Sequence, residues 1–350
     1  MRRASIALAL AITPVLTVGA LAAPAAAAPR DLEWKPSATG SEANLRGLAV
    51  VSDRIAWASG LGGAVLRTTD GGATWAAVGP PDTADLDFRD IEAVDENHAL
   101  ALSAGAGALS RIYRTTDGGK TWTETFRSAE DTAFYDCVTF FDTQRGLAVS
   151  DPVGGKFRLI STADGGKTWT TSDGPAAAEG EYAFAASGGC LVAPAGAPAG
   201  TAVFGSGGTA SHYFRTTDHG ATWTSAASDF PAAEYGGIFS LAFRGDRGIA
   251  VGGDARAAAG VSGGSAVSGD TGGTWALAGA QPADFKSAVA WVSDGRAVAV
   301  GPTGSDVTTD NGQSWSTFSA SGFNSVGCAA AGACFAVGDK GVAATLAGTR

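Results

Sequence analysis

The sequence predicts an all-β chain folded as a seven-bladed β-propeller, and three observations carry that prediction. A short string built on Asp, Gly and Trp recurs six times, a pair of apolar strands precedes each copy, and a solitary Trp34 stands where a missing outer strand would close the ring. The spacing of the string sets the size of the unit. Its tryptophans, Trp75, Trp122, Trp169, Trp223, Trp275 and Trp315, lie 40 to 54 residues apart, enough for four short strands and their turns.

Each string has the chemistry of a strand-turn-strand corner. It begins at Asp70, Asp117, Asp164, Asp218, Asp270 and Asp310, and ends in Thr-Trp or Ser-Trp. A carboxylate at that position accepts hydrogen bonds from turn amides and from the hydroxyl residue, while glycine supplies positive φ. The repeated Asp residues are therefore expected to be structural. The Trp that follows opens the outer strand and wedges between neighbouring sheets.

The inner strands come before each string. Units begin near Leu45, Phe88, Phe134, Phe184, Ile238, Phe285 and Phe323, each with an apolar run, a polar turn and a second run such as Gly146-Leu-Ala-Val or Arg296-Ala-Val-Ala-Val. Seven units but six strings leave the count uneven by one. The last unit offers three strands and then the chain stops, whereas Trp34 in Asp31-Leu-Glu-Trp-Lys-Pro has no inner strands before it. Residues 31–36 should thus supply the outer strand of blade seven, with Trp34 in the place held elsewhere by Trp75 or Trp315. Closure also removes the sheet edges that invite aggregation.

Composition narrows the function classes. The chain has 350 residues, 51 of them Gly and one Met, with a formal net charge of −10 and 24 basic residues that form no run. Such a surface lacks the source of counterion release that nucleic-acid binding needs. Residues 1–27 read as a signal peptide, with Arg2 and Arg3 followed by an apolar stretch and small residues up to Ala27, leaving 28–350 as one domain. The expected product is a secreted or cell-envelope monomer with no membrane insertion after cleavage. In that oxidising setting Cys328 and Cys334, flanking a hairpin turn, are expected to be bridged. Cys137 and Cys190 lie in corresponding regions of consecutive units, and their pairing is left open.

The strings resemble BNR/Asp-box repeats, and residues 31–348 resemble the photosystem II stability/assembly factor-like propellers, including relatives in non-photosynthetic bacteria. The likeness is carried by Ser150-Asp-Pro-Val-Gly-Gly-Lys-Phe, Gly236-Gly-Ile-Phe-Ser-Leu-Ala-Phe-Arg, Val251-Gly-Gly-Asp, Gly301-Pro-Thr-Gly-Ser-Asp and Val337-Gly-Asp-Lys-Gly. The resemblance implies a cofactor-free platform that binds another protein. Asp-boxes also occur in sialidases and other glycan-active enzymes, so a glycoside hydrolase or lyase using a collar of carboxylates and arginines is the alternative.

Propeller geometry then predicts the functional face. Turns from outer to inner strand and from second to third strand share one face, opposite the Asp-box corners. That face is expected to carry Asp136, Asp151, Asp254 and Asp306 as catalytic candidates, since paired carboxylates can perform acid/base hydrolysis. Arg46, Arg89, Tyr135, Arg158, His212, Tyr235, Arg256 and Lys286 are the binding candidates. His98, His212 and His219 lack metal-ligand spacing, and no metal site is expected.

Overall fold

The computed structural model describes residues 32–257, 259–261 and 263–349; the signal peptide expected over residues 1–27 lies outside them. Among the described residues the only helical segments are two single 3-10 turns, and everything else regular is strand. Seven antiparallel sheets form a ring, as the repeat count predicts. Their innermost strands are Leu45–Val50, Phe88–Ala93, Tyr135–Phe140, Leu191–Val192, Ala233–Arg244, Ala288–Ser293 and Ser325–Cys328, for blades one to seven in that order.

The corners explain why the chain turns where it does. Asp70 Oδ1 accepts from Thr68 Oγ1 at 2.8 Å and from the Thr74 amide at 2.9 Å, and Oδ2 accepts from Thr74 Oγ1 at 2.6 Å. The same pattern recurs at Asp117, Asp164, Asp218, Asp270 and Asp310. Each carboxylate thus accepts three hydrogen bonds from its own turn, the work of a corner residue. The residue after each Asp has positive φ, which Gly71, Gly118 and Gly165 adopt freely; His219, Thr271 and Asn311 adopt it at φ 62, 58 and 62.

Indoles stitch one blade to the blade before it. Trp75 Nε1 donates to Ser37 Oγ of blade seven, and Trp315 Nε1 donates to Ser265 Oγ of blade five, both at 3.0 Å. Trp34 makes the equivalent bond to Ser305 Oγ of blade six, also at 3.0 Å, from a ring 6% exposed. Its strand, Glu33–Ala38, pairs antiparallel with Val342–Ala347, with Trp34 opposite Leu346. The amino-terminal strand therefore closes blade seven. Trp34 also packs on Phe323, ring centroids 5.0 Å apart, so the closure is an apolar seam as well as a ladder.

Blade four departs from the repeat. Its inner strand begins at Leu191, seven residues beyond Phe184, because residues 183–189 run as a strap across the central opening. Ser187 Oγ donates to the Ser287 carbonyl of blade six at 2.9 Å, and Ser325 Oγ of blade seven donates to the Ser187 carbonyl at 3.2 Å. Gly188 is required there: it has φ +75, and a Cβ would sit 2.2 Å from Asp90 Oδ1. Just before the strap, Glu181–Tyr182 pairs with Gly207–Gly208 in an extension of the blade-five sheet. Cys137 and Cys190 are disulfide-bonded, fastening the carboxyl end of the strap to blade three, and Cys328 is bonded to Cys334.

Candidate functional site

The chain enters the innermost strands of blades one, two, three, five, six and seven with the same sequence pattern at or near the strand start. In each, a charged, polar or aromatic residue follows the first apolar one: Arg46, Arg89, Asp136, Phe239, Lys286 and Asn324. A β-bulge at this position, seen between Leu45 and Gly47 and between Phe88 and Asp90, turns the residue toward the central mouth. The mouth is thereby divided into a charged arc on blades seven, one, two and three and an aromatic arc on blades four to six.

The charged arc is built around two guanidinium groups. Arg89 Nε donates to Asp87 Oδ2 at 2.7 Å, and its Nη1 donates to the Ala185 carbonyl of the strap at 3.3 Å. Arg46 is half-buried and makes no side-chain hydrogen bond or ion pair among the described residues. Burial, and then the neighbouring Arg89 charge, lower its pKa, while Asp339 and Asp87 oppose this from farther away. Asp339 is held in place by Asn324 Nδ2, which donates to its Oδ1 at 2.8 Å.

Asp136 and Asp151 complete this arc on blade three. Asp151 Oδ1 accepts the Ala183 amide at 3.0 Å, and burial pushes its pKa up to about 6. Asp136 is 1% exposed, and its Oδ2 has no hydrogen-bond partner. Burial and then the Asp151 charge raise its pKa strongly, with Arg89 in partial opposition. These two carboxyl groups and Arg89 are the anchors of the strap.

The aromatic arc lies across the mouth. Phe184 stacks on Phe239 with centroids 3.8 Å apart, and Phe239 meets Phe285 edge-on at 4.6 Å. Tyr235 and Arg256 sit on the blade-five rim, with the guanidinium 3.3 Å from the ring centroid. Asp254 Oδ1 beside them accepts the Arg256 amide at 2.9 Å.

Other candidates are committed elsewhere. Lys286 and Asp306, each 1% exposed, form a buried ion pair at 3.3 Å. Asp306 lies on the third strand of blade six, where it also accepts from Thr317 Oγ1 at 2.7 Å. Tyr135 is 1% exposed and packs edge-on against Phe126, as a core residue. Arg158 is held between Glu130, at 2.8 Å, and Asp173. His212 Nδ1 lies 2.8 Å from Oε1 of buried Glu181, an oxygen that also accepts from Ser206 Oγ. The structure thus gathers Arg46, Arg89, Asp136 and Asp151 and leaves Asp254 and Asp306 apart from them.

Some of the site has no signature in the sequence. Asp87, Phe239 and the strap contribute as much as the residues named from the register. Phe239 could have been found by aligning the seven unit starts at their second position; the strap had no such signal, because its Ala and Gly residues read as an ordinary loop.

Seven antiparallel blades in a ring, six of them with a carboxylate corner between the third and fourth strands, define the protein's class, a seven-bladed β-propeller. Residues 113–124 match the BNR/Asp-box repeat, and no curated protein matches the chain. Among solved structures, one described as YCF48 bound to D1 peptide is similar over 94% of this chain and 99% of its own, with 16% identity and a TM-score of 0.65. YCF48 from Cyanidioschyzon merolae is similar over 91% and 99%, again with 16% identity and a TM-score of 0.65. An ancestral GH74 enzyme is similar over 81% of this chain but 39% of its own, with 12% identity and a TM-score of 0.57. At these identities the likeness is one of fold.

Proposed function

We propose that the protein is an exported docking platform that binds a protein segment across the mouth, with a carboxylate of the segment anchored on Arg46. The observation that carries this reading is the unpaired, half-buried guanidinium of Arg46. A half-buried guanidinium keeps N–H donors open to the mouth, and a carboxylate ligand would satisfy them through charge-assisted hydrogen bonds. Three exposed aliphatic residues lie where the second strand passes to the third in neighbouring blades: Val342 on blade seven, Leu61 on blade one and Leu109 on blade two, 46%, 52% and 42% exposed. A rim of this kind suits an extended segment with aliphatic side chains beside its acidic group. A fold neighbour that binds a peptide is consistent with it.

The test is binding of an array of peptides with either free or amidated carboxyl ends, read by fluorescence polarisation. Loss of one charge-assisted contact is worth about 1.5–3 kcal/mol, so Arg46→Gln should weaken carboxylate-dependent binding roughly 10- to 100-fold. If no peptide binds in a carboxylate-dependent manner, or if Arg46→Gln leaves binding unchanged, the reading fails.

The glycan-hydrolase alternative rests on one observation, the Asp136 and Asp151 pair with both pKa values raised. A general acid with a raised pKa beside a second carboxyl group is what glycoside hydrolysis needs. Hydrolysis of a polysaccharide, abolished by Asp151→Asn, would establish it in place of docking.

A further inference from the structure

The strap, residues 183–189, joins no strand on its way from Glu181–Tyr182 to Leu191–Val192. Among the described residues a single backbone-to-backbone hydrogen bond ties it to the ring, from the Leu241 amide to the Gly189 carbonyl at 2.8 Å, near its carboxyl end. Everything else that pins it runs through a side chain: Asp151 at the Ala183 amide, Arg89 at the Ala185 carbonyl, Phe184 on Phe239, and Ser187 with Ser287 and Ser325. Its two ends are fixed, one by the pairing of Glu181–Tyr182 with Gly207–Gly208 and the other by the Cys137–Cys190 bond. Such a segment can open by itself, because no ladder has to break.

Two of the pins are the carboxyl groups of blade three. Asp136 is 1% exposed and draws on the Ala185 and Asp151 amides, yet its Oδ2 has no hydrogen-bond partner. An orphaned buried oxygen costs free energy for as long as the strap stays shut, and more when the group is ionised; water satisfies it once the strap lifts. The charges that face the pair are few. Asp151 acts on Asp136, and Arg89 of blade two, shared with Asp87 Oδ2 and the Ala185 carbonyl, opposes it. Tyr182, just ahead of the strap, lies in the field of Asp151. The strap itself, Ala-Phe-Ala-Ala-Ser-Gly-Gly, brings no ionisable group.

The direction of the pH effect follows. Burial pushes Asp151 up to about 6 and Asp136 well above its ordinary 3.8, the latter with the Asp151 charge as second cause. Below about pH 4 both groups hold their protons whether the strap is shut or open, and pH has no effect. From there upward the shut strap keeps protons that the open one releases, so closure weakens as pH rises, about tenfold per pH unit for each proton retained. We propose that the strap is a pH-dependent latch over the mouth, shut while the Asp136 and Asp151 pair holds its protons and released when both carboxyl groups ionise. Release takes the Ala185 carbonyl off Arg89 and leaves that guanidinium with an open donor on the same arc as Arg46. Control of access to Arg46 is the part of the proposal that rests on the docking reading.

Hydrogen exchange of the protein, read by mass spectrometry on a peptide spanning residues 183–189, tests the latch. Rates are converted to protection factors, so that the intrinsic pH dependence of exchange drops out. Protection should fall about tenfold or more between pH 5 and pH 7 in the wild type. It should change less than about twofold in the double variant Asp136→Asn and Asp151→Asn, whose side chains keep an acceptor at both positions and carry no charge. Glu92→Gln, which removes a buried acid away from the strap, should leave the wild-type fall in place. Equal protection at pH 5 and pH 7 overturns the latch, as does a fall retained in the double variant. A fall abolished by Glu92→Gln also overturns it, because the strap would then exchange only when the whole chain unfolds. Wild type and Glu92→Gln decide the matter even if the double variant does not fold. No ligand is present, so failed peptide binding leaves the latch standing, and a strap indifferent to pH leaves docking on Arg46 standing.

Discussion

Replacement of Trp34 by Ala tests the closure of the ring. The ring is 6% exposed, packs on Phe323 and Phe318 at centroid distances of 5.0 and 6.1 Å, and donates to Ser305 Oγ at 3.0 Å. Removing a buried Trp or Phe side chain costs about 3–5 kcal/mol, and the lost hydrogen bond adds about 1 kcal/mol. Ser305 Oγ still donates to the Ser321 carbonyl, so no buried hydroxyl is orphaned to raise the cost further. With an unfolding entropy of about 2.1 cal/mol/K per residue over about 320 residues, each kcal/mol moves Tm by about 1.5 °C. Trp34→Ala should therefore lower Tm by about 6–9 °C. Trp34→Phe keeps most of the apolar contact and loses the donor, and should cost about 2–3 °C. Scanning calorimetry gives both values. An Ala variant that unfolds within about 1 °C of wild type would mean that the amino-terminal strand adds nothing to blade seven; deletion of residues 29–37 with no loss of stability would say the same.

Four further outcomes follow from particular contacts. Thr271 is a β-branched residue at φ 58, so Thr271→Gly should raise stability by about 0.5–1 kcal/mol in urea unfolding, whereas the fully used carboxylate of Asp270 predicts a loss for Asp270→Ala. Removing the Cys137–Cys190 bond, at a sequence separation of 53, should cost about 4 kcal/mol on loop entropy, against about 2 kcal/mol for Cys328–Cys334 at a separation of 6. Lys286→Met leaves Asp306 as an unpaired buried charge and should cost about 3–5 kcal/mol; loss of ligand binding with unchanged stability would instead place Lys286 at the mouth. The pH profile combines two groups of opposite sign. Asp70, Asp117 and Asp164 are lowered from 3.8 to about 2, first by their hydroxyl partners, so their stabilisation is full above pH 4 and is lost toward pH 2. Asp151 and Glu92 are raised by burial from 3.8 and 4.5 to about 6 and 7, so the folded state loses stability as pH rises from about 4 to 7. Tm should peak near pH 4–5, and Glu92→Gln should flatten the fall toward pH 7.

The fold was legible because each repeat writes its own corner. Asp70, Gly71 and Thr74 lie within five residues, so the turn they make is a local property, and six copies at blade spacing leave little freedom in architecture. Even the long-range closure could be deduced, since an orphan Trp34 and an unfinished last unit complete each other. The mouth was legible only where position in the repeat decides direction, as at Arg46 and Arg89. Position does not decide partnership: Lys286 occupies the same register as Arg89 but finds Asp306 at 3.3 Å and is sealed inside blade six.

The strap shows why the remaining part of the site was hidden. Residues 183–189 carry Phe and small residues, and nothing in their composition says that they leave the repeat to cross the opening. Their path is set by distant partners, Asp151 at Ala183, Arg89 at Ala185 and Ser287 at Ser187, from blades three, two and six. The strap gives the two faces different work. On one it crowds the mouth and engages Arg89, which leaves Arg46 as the cation with an open coordination shell. On the other it turns a through-channel into a pocket closed at one end by Ser187, Gly188 and Gly189.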